Sequence, residues 1–339
     1  MRINPAKFFV LLVVLSLSVN SVAQDSNYSD REDVKLFIKQ LVENDGFDAT
    51  RLRSVFQQAR YKQSIIDAIS RPAEKVLNWS EYQDIFLTDK RASEGDKFML
   101  ENAQALSDAY NKYGVPPVVV TAIIGVETMY GRYRGNYRVI DALTTLAFDY
   151  PPRSKFFRQE LRHFLLLARE ENQAITELRG SYAGAMGYGQ FIPSSYRHYS
   201  VDFNGDGTRD IWNNKVDAIG SVANYLAAHG WRPGEPVVAV ARLEITAGNL
   251  DANFNVSLKP NSTVGAMHKM GVITAADFGE STKVSPMKLV GKLGDEYWLG
   301  FHNFYVITRY NHSKLYAMTI FQLSETLRAQ DGIVKRQFH

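Results

Sequence analysis

One apolar run that ends in a carboxylate constrains this chain more than any other feature. Residues 118–126 read VVVTAIIGV and stand between Pro116, Pro117 and Glu127. Because proline suits the first turn of a helix, the run predicts a buried helix with Glu127 in its last turn. Gly131 is expected in the left-handed position just past the end. Since burial disfavours the charged form of a carboxylate, the pKa of Glu127 should be raised.

A carboxylic acid that keeps its proton near neutral pH can serve as a general acid, so Glu127 is the candidate catalytic residue. The alternative is a structural glutamate paired with Arg132 or Arg134, because structural ion pairs also shift pKa values. This stretch alone leaves both interpretations open.

The first residues resemble a secretory signal and not part of the fold. Arg2 and Lys7 precede a 12-residue apolar run, residues 8–19, and small residues follow up to Ala23. We expect segment 1–23 to be removed near Ala23, which leaves a soluble exported protein with no transmembrane segment. An uncleaved anchor is the alternative, although the run is shorter than the roughly 20 residues of a membrane span.

Composition excludes several classes of function. The chain has 39 basic and 36 acidic residues, a balance that gives no reason to expect a nucleic-acid partner. It has no cysteine, so a disulfide, a cysteine nucleophile and a lipid-acceptor cysteine are all excluded. The seven histidines are scattered without metal-ligand spacing. Nothing indicates an organic cofactor.

The hydrophobic pattern indicates a mainly α, α+β protein. Helical periodicity dominates residues 30–110, with a break at Asn78–Tyr82 whose aromatic pair could face a cleft or fill a gap between helices. A second helix with an apolar stripe is expected at 154–171. Residues 237–245, 254–258 and 297–310 are β-rich and predict a small antiparallel sheet. A short helix is expected at 263–270 and a last helix from Lys314.

A glycine-rich loop follows at Ser181–Ser195, with three glycines in the six residues 184–189. Glycines allow close approach of a ligand to the backbone, and Ser181 and Gln190 offer a hydroxyl and an amide. The sequence matches neither a phosphate loop nor a dinucleotide fingerprint.

The next segment resembles the first half of an EF-hand loop. Oxygen donors stand at positions 1, 3, 5 and 7, which are Asp202, Asn204, Asp206 and the backbone carbonyl of Thr208. Position 12 is an asparagine where a glutamate is expected, so we expect Asp217 on the next helix to close a structural Ca²⁺ site. A plain turn rich in Asp and Asn is the alternative.

Five motifs in this order are similar to the lytic murein transglycosylase B family, glycoside hydrolase family 103. The similarity runs from about Asp33 to Leu327. The motifs are Val126–Gly131, Gly184–Ser195, Asp202–Gly207, Val216–Tyr225 and Asn303–Ser313.

The resemblance implies a lysozyme-like core at 109–231 with the EF-hand-like loop. It also implies a helical domain at 24–108, onto which a C-terminal helix at 313–339 packs back, and a small β-domain at 232–312. By the same resemblance, the chain is a periplasmic enzyme, expected as a monomer, that cleaves the β-1,4 bond between N-acetylmuramic acid and N-acetylglucosamine in peptidoglycan without water. Many relatives are lipoproteins, but this chain lacks the required cysteine.

Carried over residue by residue, the resemblance makes Glu127 the acid and then the base. The residues expected to line the glycan groove are Ser181, Gln190, Tyr225, Tyr305, Tyr310 and Tyr82. The expected calcium ligands are Asp202, Asn204, Asp206, Thr208 and Asp217. The interval from Asp206 to Asp217 is one residue longer than the familiar form, which leaves the closing ligand open.

The residues agree with a mechanism that needs a single carboxylate. Ordinary glycosidases place two carboxylates about the bond. Here the nearest candidates for a second are Asp141 and Asp149, which we interpret as structural. Two alternatives stay open: a lysozyme-like hydrolase, and a non-catalytic peptidoglycan-binding protein.

Overall fold

The computed structural model describes residues 27–71, 77–244 and 250–337. The predicted signal segment 1–23 lies outside the described residues. Across the parts that are described, no helix combines the length and the apolar character that a membrane crossing requires.

Helices dominate the N-terminal part, as the periodicity predicts. They are α1 (Glu32–Asp45), α2 (Ala49–Gln58), α3 (Gln63–Ile69), α4 (Trp79–Phe86), α5 (Asp89–Glu101) and α6 (Ala103–Tyr113). In α1 the buried face consists of Val34, Phe37, Ile38 and Leu41. Because one face of each helix is apolar, the helices pack face inward into a common core.

The predicted break at Asn78–Tyr82 is wrong, because this segment begins α4. The Asn78 side chain accepts from the backbone N–H of Glu81, and the Glu81 side chain accepts from the backbone N–H of Asn78. This capping box satisfies two backbone donors that a helix start leaves free. Trp79 and Tyr82 are therefore helical, and both are 1 % exposed.

The apolar run forms the central helix α7 (Pro117–Thr128), which begins at the second proline as predicted. All residues from Val118 to Val126 are buried. The left-handed turn begins earlier than expected, at Met129 with φ 49°, and it continues through Tyr130 and Gly131. Because no face of α7 turns to solvent, the surrounding helices fix its position.

Four helices and a two-stranded ribbon follow α7. They are β1 (Tyr137–Arg138), α8 (Val139–Asp149), α9 (Ser154–Glu170), β2 (Arg179–Gly180), α10 (Pro193–Tyr199) and α11 (Lys215–Ala228). The β1 and β2 strands pair antiparallel. Isolated bridges join Gly180 to Met186 and Met186 to Phe191, so the glycine-rich loop is tied to the ribbon. The apolar stripe predicted for α9 is buried.

A five-stranded antiparallel sheet occupies the region predicted to be β-rich. Its strands are β3 (Val238–Leu243), β4 (Ser262–Thr263), β5 (Val272–Thr274), β6 (Lys283–Gly291) and β7 (Gly294–Gly300), in the order β4-β6-β7-β3-β5. The expected short helix is present as α12 (Val264–Lys269). A separate small core that includes Val264, Val284 and Leu299 lies under the sheet.

Two strand predictions in this region are wrong. Residues 254–258 form no strand, and in 297–310 the strand ends at Gly300 and a helix, α13 (His302–Tyr310), follows. Its aromatic and β-branched residues favour strands by propensity. Burial at Asn303, Phe304, Val306 and Ile307 follows the helical period instead, so tertiary packing overrides propensity.

The last helix, α14 (Lys314–Gln337), packs back onto α4 and α5 and also along α7 and α13. The central helix is thus enclosed by α5, α6, α11 and α14. The proposed domain boundaries at 24–108, 109–231 and 232–312 stay predictions. What matters for the site is that a helix from the far end of the sequence lies against the end of α7.

Candidate active site

Glu127 lies in the last turn of α7, as predicted, and its side chain is half-buried. The hydroxyl of Tyr316, on the first turn of α14, donates to Oε1 of Glu127 at 2.7 Å. Tyr316 is only 2 % exposed. Since a buried phenol needs a hydrogen-bond partner, this tyrosine is committed to the carboxylate.

Tyr316 is the site residue that sequence reasoning missed. The sequence predicts its helix only as an element that packs against the helical domain. One signal was available, because a tyrosine within the otherwise apolar face formed with Ile320 and Leu323 must find a partner for its hydroxyl. The partner itself could not be identified without the fold.

Arg132 and Arg134, the possible partners of a purely structural Glu127, interact with other residues. Arg132 pairs with Glu94 at 2.9 Å. Arg134 donates to the carbonyl oxygen of Trp212, and its guanidinium lies 5.1 Å from the ring centroid of Tyr188.

Thr128 fixes the end of α7 against the glycine-rich loop. Its buried hydroxyl donates to the carbonyl oxygen of Tyr188 at 2.9 Å and accepts from the N–H of Gly131 at 3.0 Å. Gly131 has φ 89°, and a Cβ there would lie 2.0 Å from Cε1 of Tyr188. Only glycine fits this close approach, so the turn after Glu127 is held in one conformation.

Tyr130 turns inward and does not line a groove. A Cβ added at Gly95 or at Gly125 would lie 2.5 Å from the phenol oxygen of Tyr130. The Tyr130 side chain therefore fills the space that the two glycines leave open. Its hydroxyl donates to the carbonyl oxygen of Arg91 at 2.8 Å. The Arg91 guanidinium in turn donates to the carbonyl oxygen of Gly125 at 3.2 Å. This packing locks α5 to the last turns of α7.

The predicted polar residues of the glycine-rich loop support its shape. The Ser181 hydroxyl accepts from the N–H of Ala185 at 3.1 Å. Gln190 has a left-handed backbone with φ 50°, and its amide donates to the carbonyl oxygen of Gly187 at 3.0 Å. Tyr310 joins the loop through its hydroxyl, which donates to the carbonyl oxygen of Gly189 at 2.6 Å.

A cluster of tyrosines surrounds Tyr316. Tyr310 stacks on Tyr316 with ring centroids 6.4 Å apart, and Tyr225 meets Tyr310 edge to face at 4.7 Å. Burial, followed by the nearby charge of Glu127, raises the pKa of both Tyr310 and Tyr316 well above 10. Burial also raises the pKa of Tyr225 to about 12. The three phenols therefore stay neutral and act as hydrogen-bond donors.

Tyr305 and Tyr82 are the remaining predicted groove residues. Tyr305 lines a cavity beside the β-sheet. Tyr82 is 1 % exposed and packs on Phe86 with ring centroids 4.6 Å apart. Tyr82 lies close enough to Tyr316 to help raise the pKa of that phenol, and its role in the groove stays a prediction.

Asp141 and Asp149, the nearest candidates for a second carboxylate, are held in structural contacts. Asp141 accepts two hydrogen bonds from Arg138, at 2.6 and 2.9 Å. Asp149 accepts from Arg31 at 2.6 Å and from the hydroxyl of Tyr28 at 2.5 Å. The interpretation of both as structural residues agrees with these contacts.

The predicted calcium loop brings three carboxylates together. Oxygens of Asp202, Asp206 and Asp217 all lie within 4.8 Å of one another. Asp217 is fully buried on the first turn of α11, and burial raises the pKa of its carboxyl. Asn204 also belongs to the cluster, because its amide donates to Asp206 at 2.8 Å. Clustered hard oxygen donors of this kind fit Ca²⁺.

The fold and the site agree with known proteins. The family described as the transglycosylase SLT domain matches residues 29–325. Membrane-bound lytic murein transglycosylase B of Escherichia coli is 38% identical over 317 residues, which is 91% of this chain and 86% of that protein.

Two solved structures are similar over most of the chain. The soluble lytic transglycosylase SltB1 of Pseudomonas aeruginosa superimposes with a TM-score of 0.84 at 48% identity, covering 88% of this chain and 99% of that one. The E. coli lytic transglycosylase Slt35 in complex with calcium gives a TM-score of 0.81 at 39% identity, covering 91% and 95%.

The lysozyme-like fold and the site around Glu127 thus define the class of protein, a lytic murein transglycosylase. This confirms the enzyme class that the five sequence motifs indicated. The chain belongs to the transglycosylase SLT family.

Proposed function

We propose that this enzyme cleaves the β-1,4 bond between N-acetylmuramic acid and N-acetylglucosamine and closes a 1,6-anhydro ring on the muramoyl product. The observation that supports this best is the half-buried carboxylate of Glu127 held by Tyr316. Asp141 and Asp149 are tied into structural contacts. A mechanism in which one carboxylate acts twice suits this arrangement.

In the first step, protonated Glu127 donates its proton to the glycosidic oxygen while the bond from that oxygen to C1 breaks. Positive charge of oxocarbenium type develops at C1 of the muramoyl residue. In the second step, the Glu127 carboxylate accepts the proton of the sugar's own 6-hydroxyl as that oxygen bonds to C1. No water is consumed, and the attack is intramolecular, which removes most of the entropic cost of a bimolecular step.

Tyr316 is the proposed positioning residue. Its neutral phenol donates to Oε1 of Glu127 at 2.7 Å. A charge-assisted hydrogen bond of this kind is directional, so it holds the carboxyl plane while the proton leaves and returns. Ser181, Gln190, Tyr225, Tyr305 and Tyr310 are the proposed groove residues.

Analysis of the products separates this proposal from hydrolysis. Purified sacculi are digested, and the muropeptides are measured by mass spectrometry. We expect 1,6-anhydro ends, which are lighter than reducing ends by one water. Reducing ends would instead support the lysozyme-like hydrolase.

Substitution of Glu127 by glutamine tests the site itself. Glutamine keeps the shape but carries no transferable acidic proton, so we expect turnover to fall by a factor of about 100 or more. Binding to insoluble murein should persist. Unchanged turnover would contradict the assignment, and a wild-type protein that only binds murein would support the non-catalytic alternative.

We also propose that Ca²⁺ binds at Asp202, Asn204, Asp206, Thr208 and Asp217. The carboxylate cluster supports this, as does the Slt35 structure in complex with calcium. When bound, the ion would link the loop to the start of α11. A periplasmic location after removal of segment 1–23 and a monomeric state remain part of the proposal.

A further inference from the structure

Beside the β-sheet lies a cavity of about 800 Å³ that the proposed chemistry does not use. Its walls are contributed by the turn after α11, by the sheet and by the start of α13. Three aromatic side chains and three cations are prominent in its lining. They are Phe278, Phe301, Tyr305, Arg232, Lys259 and Lys283.

We propose that this cavity binds the peptide that murein carries on its muramic acid residues, through the free carboxylates of that peptide. The inference rests on the proposed function, because it assigns a second part of the same substrate. It adds a binding site beside the one that holds the sugars.

The charge of the cavity favours an anionic ligand. Glu235 is the one acid of the lining, and it lies 3.3 Å from the guanidinium of Arg232. Lys259 and Lys283 are exposed, and within the described parts of the chain neither has a carboxylate partner. Two cations are thus left to meet carboxylates of a ligand. The sugars of peptide-bearing murein offer no charge, because the lactyl carboxyl of muramic acid is consumed in the amide bond to the peptide.

The wall of the cavity formed by the turn from Arg232 to Glu235 is rigid. Asn303 is fully buried, and its amide donates to the carbonyl oxygens of Arg232 at 2.8 Å and of Glu235 at 3.0 Å. Its Oδ1 accepts from the N–H of Arg232 at 2.9 Å. Because one side chain satisfies three backbone groups of the turn, the turn is held in place before a ligand arrives. Such preorganisation lowers the entropic cost of binding.

Helix α13 connects the cavity to the active site. Tyr305 lines the cavity, and Tyr310, five residues later, stacks on Tyr316. Five residues of α-helix rise about 7.5 Å. A glycan held at Glu127 is therefore near enough for a peptide substituent to extend along α13 into the cavity. The aromatic walls suit the apolar atoms of a peptide, and the lysines suit its carboxylates.

Binding measurements in the Glu127→Gln background test the proposal without turnover. The two probes are a murein disaccharide that carries a tripeptide with free carboxylates and the same disaccharide with its lactyl carboxyl capped as a simple amide. We expect the double variant Lys259→Glu/Lys283→Glu to weaken binding of the first probe about fivefold or more, the scale of two exposed ion pairs. Binding of the second probe should not change.

Two control variants sharpen the comparison. Lys259→Arg/Lys283→Arg keeps the charge and should bind both probes normally. Lys155→Glu/Lys269→Glu makes the same charge change at exposed lysines that do not line the cavity. It should leave the preference for the peptide intact.

An equal loss for both probes, or no loss for either, would overturn the proposal, and so would an equal effect of the control double variant. Failure of the proposed function is a separate result, because it would be seen as the absence of 1,6-anhydro products from the wild-type enzyme. The binding comparison would still decide what the cavity recognises.

Discussion

The carboxylate of Glu127 is held by a residue that lies 189 positions further along the chain. The sequence motif around Glu127 predicts the acid, its place in the last turn and its burial. It contains no information about Tyr316, because the pair is formed by two helices that meet only in the folded protein. Contacts between residues so distant in sequence are the part of a site that pattern reasoning cannot supply.

At the residue scale, Tyr316→Phe is expected to lower kcat by about tenfold to a hundredfold with little change in KM. The reason is that one hydrogen bond to a charged group contributes about 1.5–3 kcal/mol. The matched control is Tyr28→Phe, which also removes a buried phenol that donates to a carboxylate, that of Asp149. Steady-state kinetics on solubilised murein measure both variants.

Tyr28 packs among helices of the N-terminal part and touches no residue of the proposed site. Its variant should therefore lose stability without loss of turnover per folded molecule. Equal kinetic effects of the two substitutions would mean that Tyr316 acts only through stability. A fall confined to KM would assign it to substrate binding instead of positioning of the acid.

At the element scale, the prediction of helices succeeded where periodicity and caps agreed. The start of α7 and the stripe of α9 are examples. It failed for α13, because Tyr305, Val306 and Ile307 favour strands when judged alone. The buried side of α13 is set by its neighbours α11, α14 and β7, which a local window cannot include.

The calcium loop gives a prediction about the link between α10 and α11. Chelation of Ca²⁺ should lower the thermal midpoint by several degrees, because an ion bound only by the folded state stabilises it by about 2.7 kcal/mol at a hundredfold excess over its Kd. Calorimetry with and without chelator measures the shift.

Asp217→Asn should unfold at the same temperature in calcium and in chelator. Its side chain would keep the carbonyl oxygen that accepts from the N–H of Phe203 but lose the bond from the N–H of Asp210, so both midpoints should also lie below that of the wild type. A variant that still responds to calcium would exclude Asp217 as a ligand. A wild-type protein that does not respond would favour the plain turn.

Glu160 gives a prediction about pH. Its carboxylate is 4 % exposed on α9 and accepts from the N–H of Ser194 at 2.9 Å, at the start of α10. Burial raises the pKa of Glu160, although the hydrogen bonds of Ser194 oppose the shift. The folded state therefore binds this proton more tightly than the unfolded state does. The contribution of Glu160 to stability should fall as pH rises from 4.5 through the folded pKa.

Glu160→Gln removes this dependence. The variant should gain stability relative to the wild type at neutral pH, and the difference should shrink towards pH 4. Urea unfolding at several pH values measures it. A gap that is constant over this range would show that Glu160 has the same pKa in both states.

At the scale of the whole molecule, the sequence permitted prediction of the fold class and the enzyme class, whereas the site residues of the two loops stay predictions. Each of these depends on local pattern or on motifs in a fixed order. The wrong predictions, such as a strand where α13 (His302–Tyr310) forms, concern which side of an element is buried. That property is decided by the packing of all elements together.

The return of α14 to the end of α7 carries a consequence for biogenesis. A chain that has emerged only as far as the β-sheet already contains its glutamate, its glycine-rich loop and its carboxylate cluster, yet the phenol that orients the acid has not been made. The enzyme would thus become able to cleave murein only after its last helix has been made and has packed against α7. Proteolytic removal of α14 would take away both that phenol and a helix that encloses α7, so activity would be lost together with part of the core.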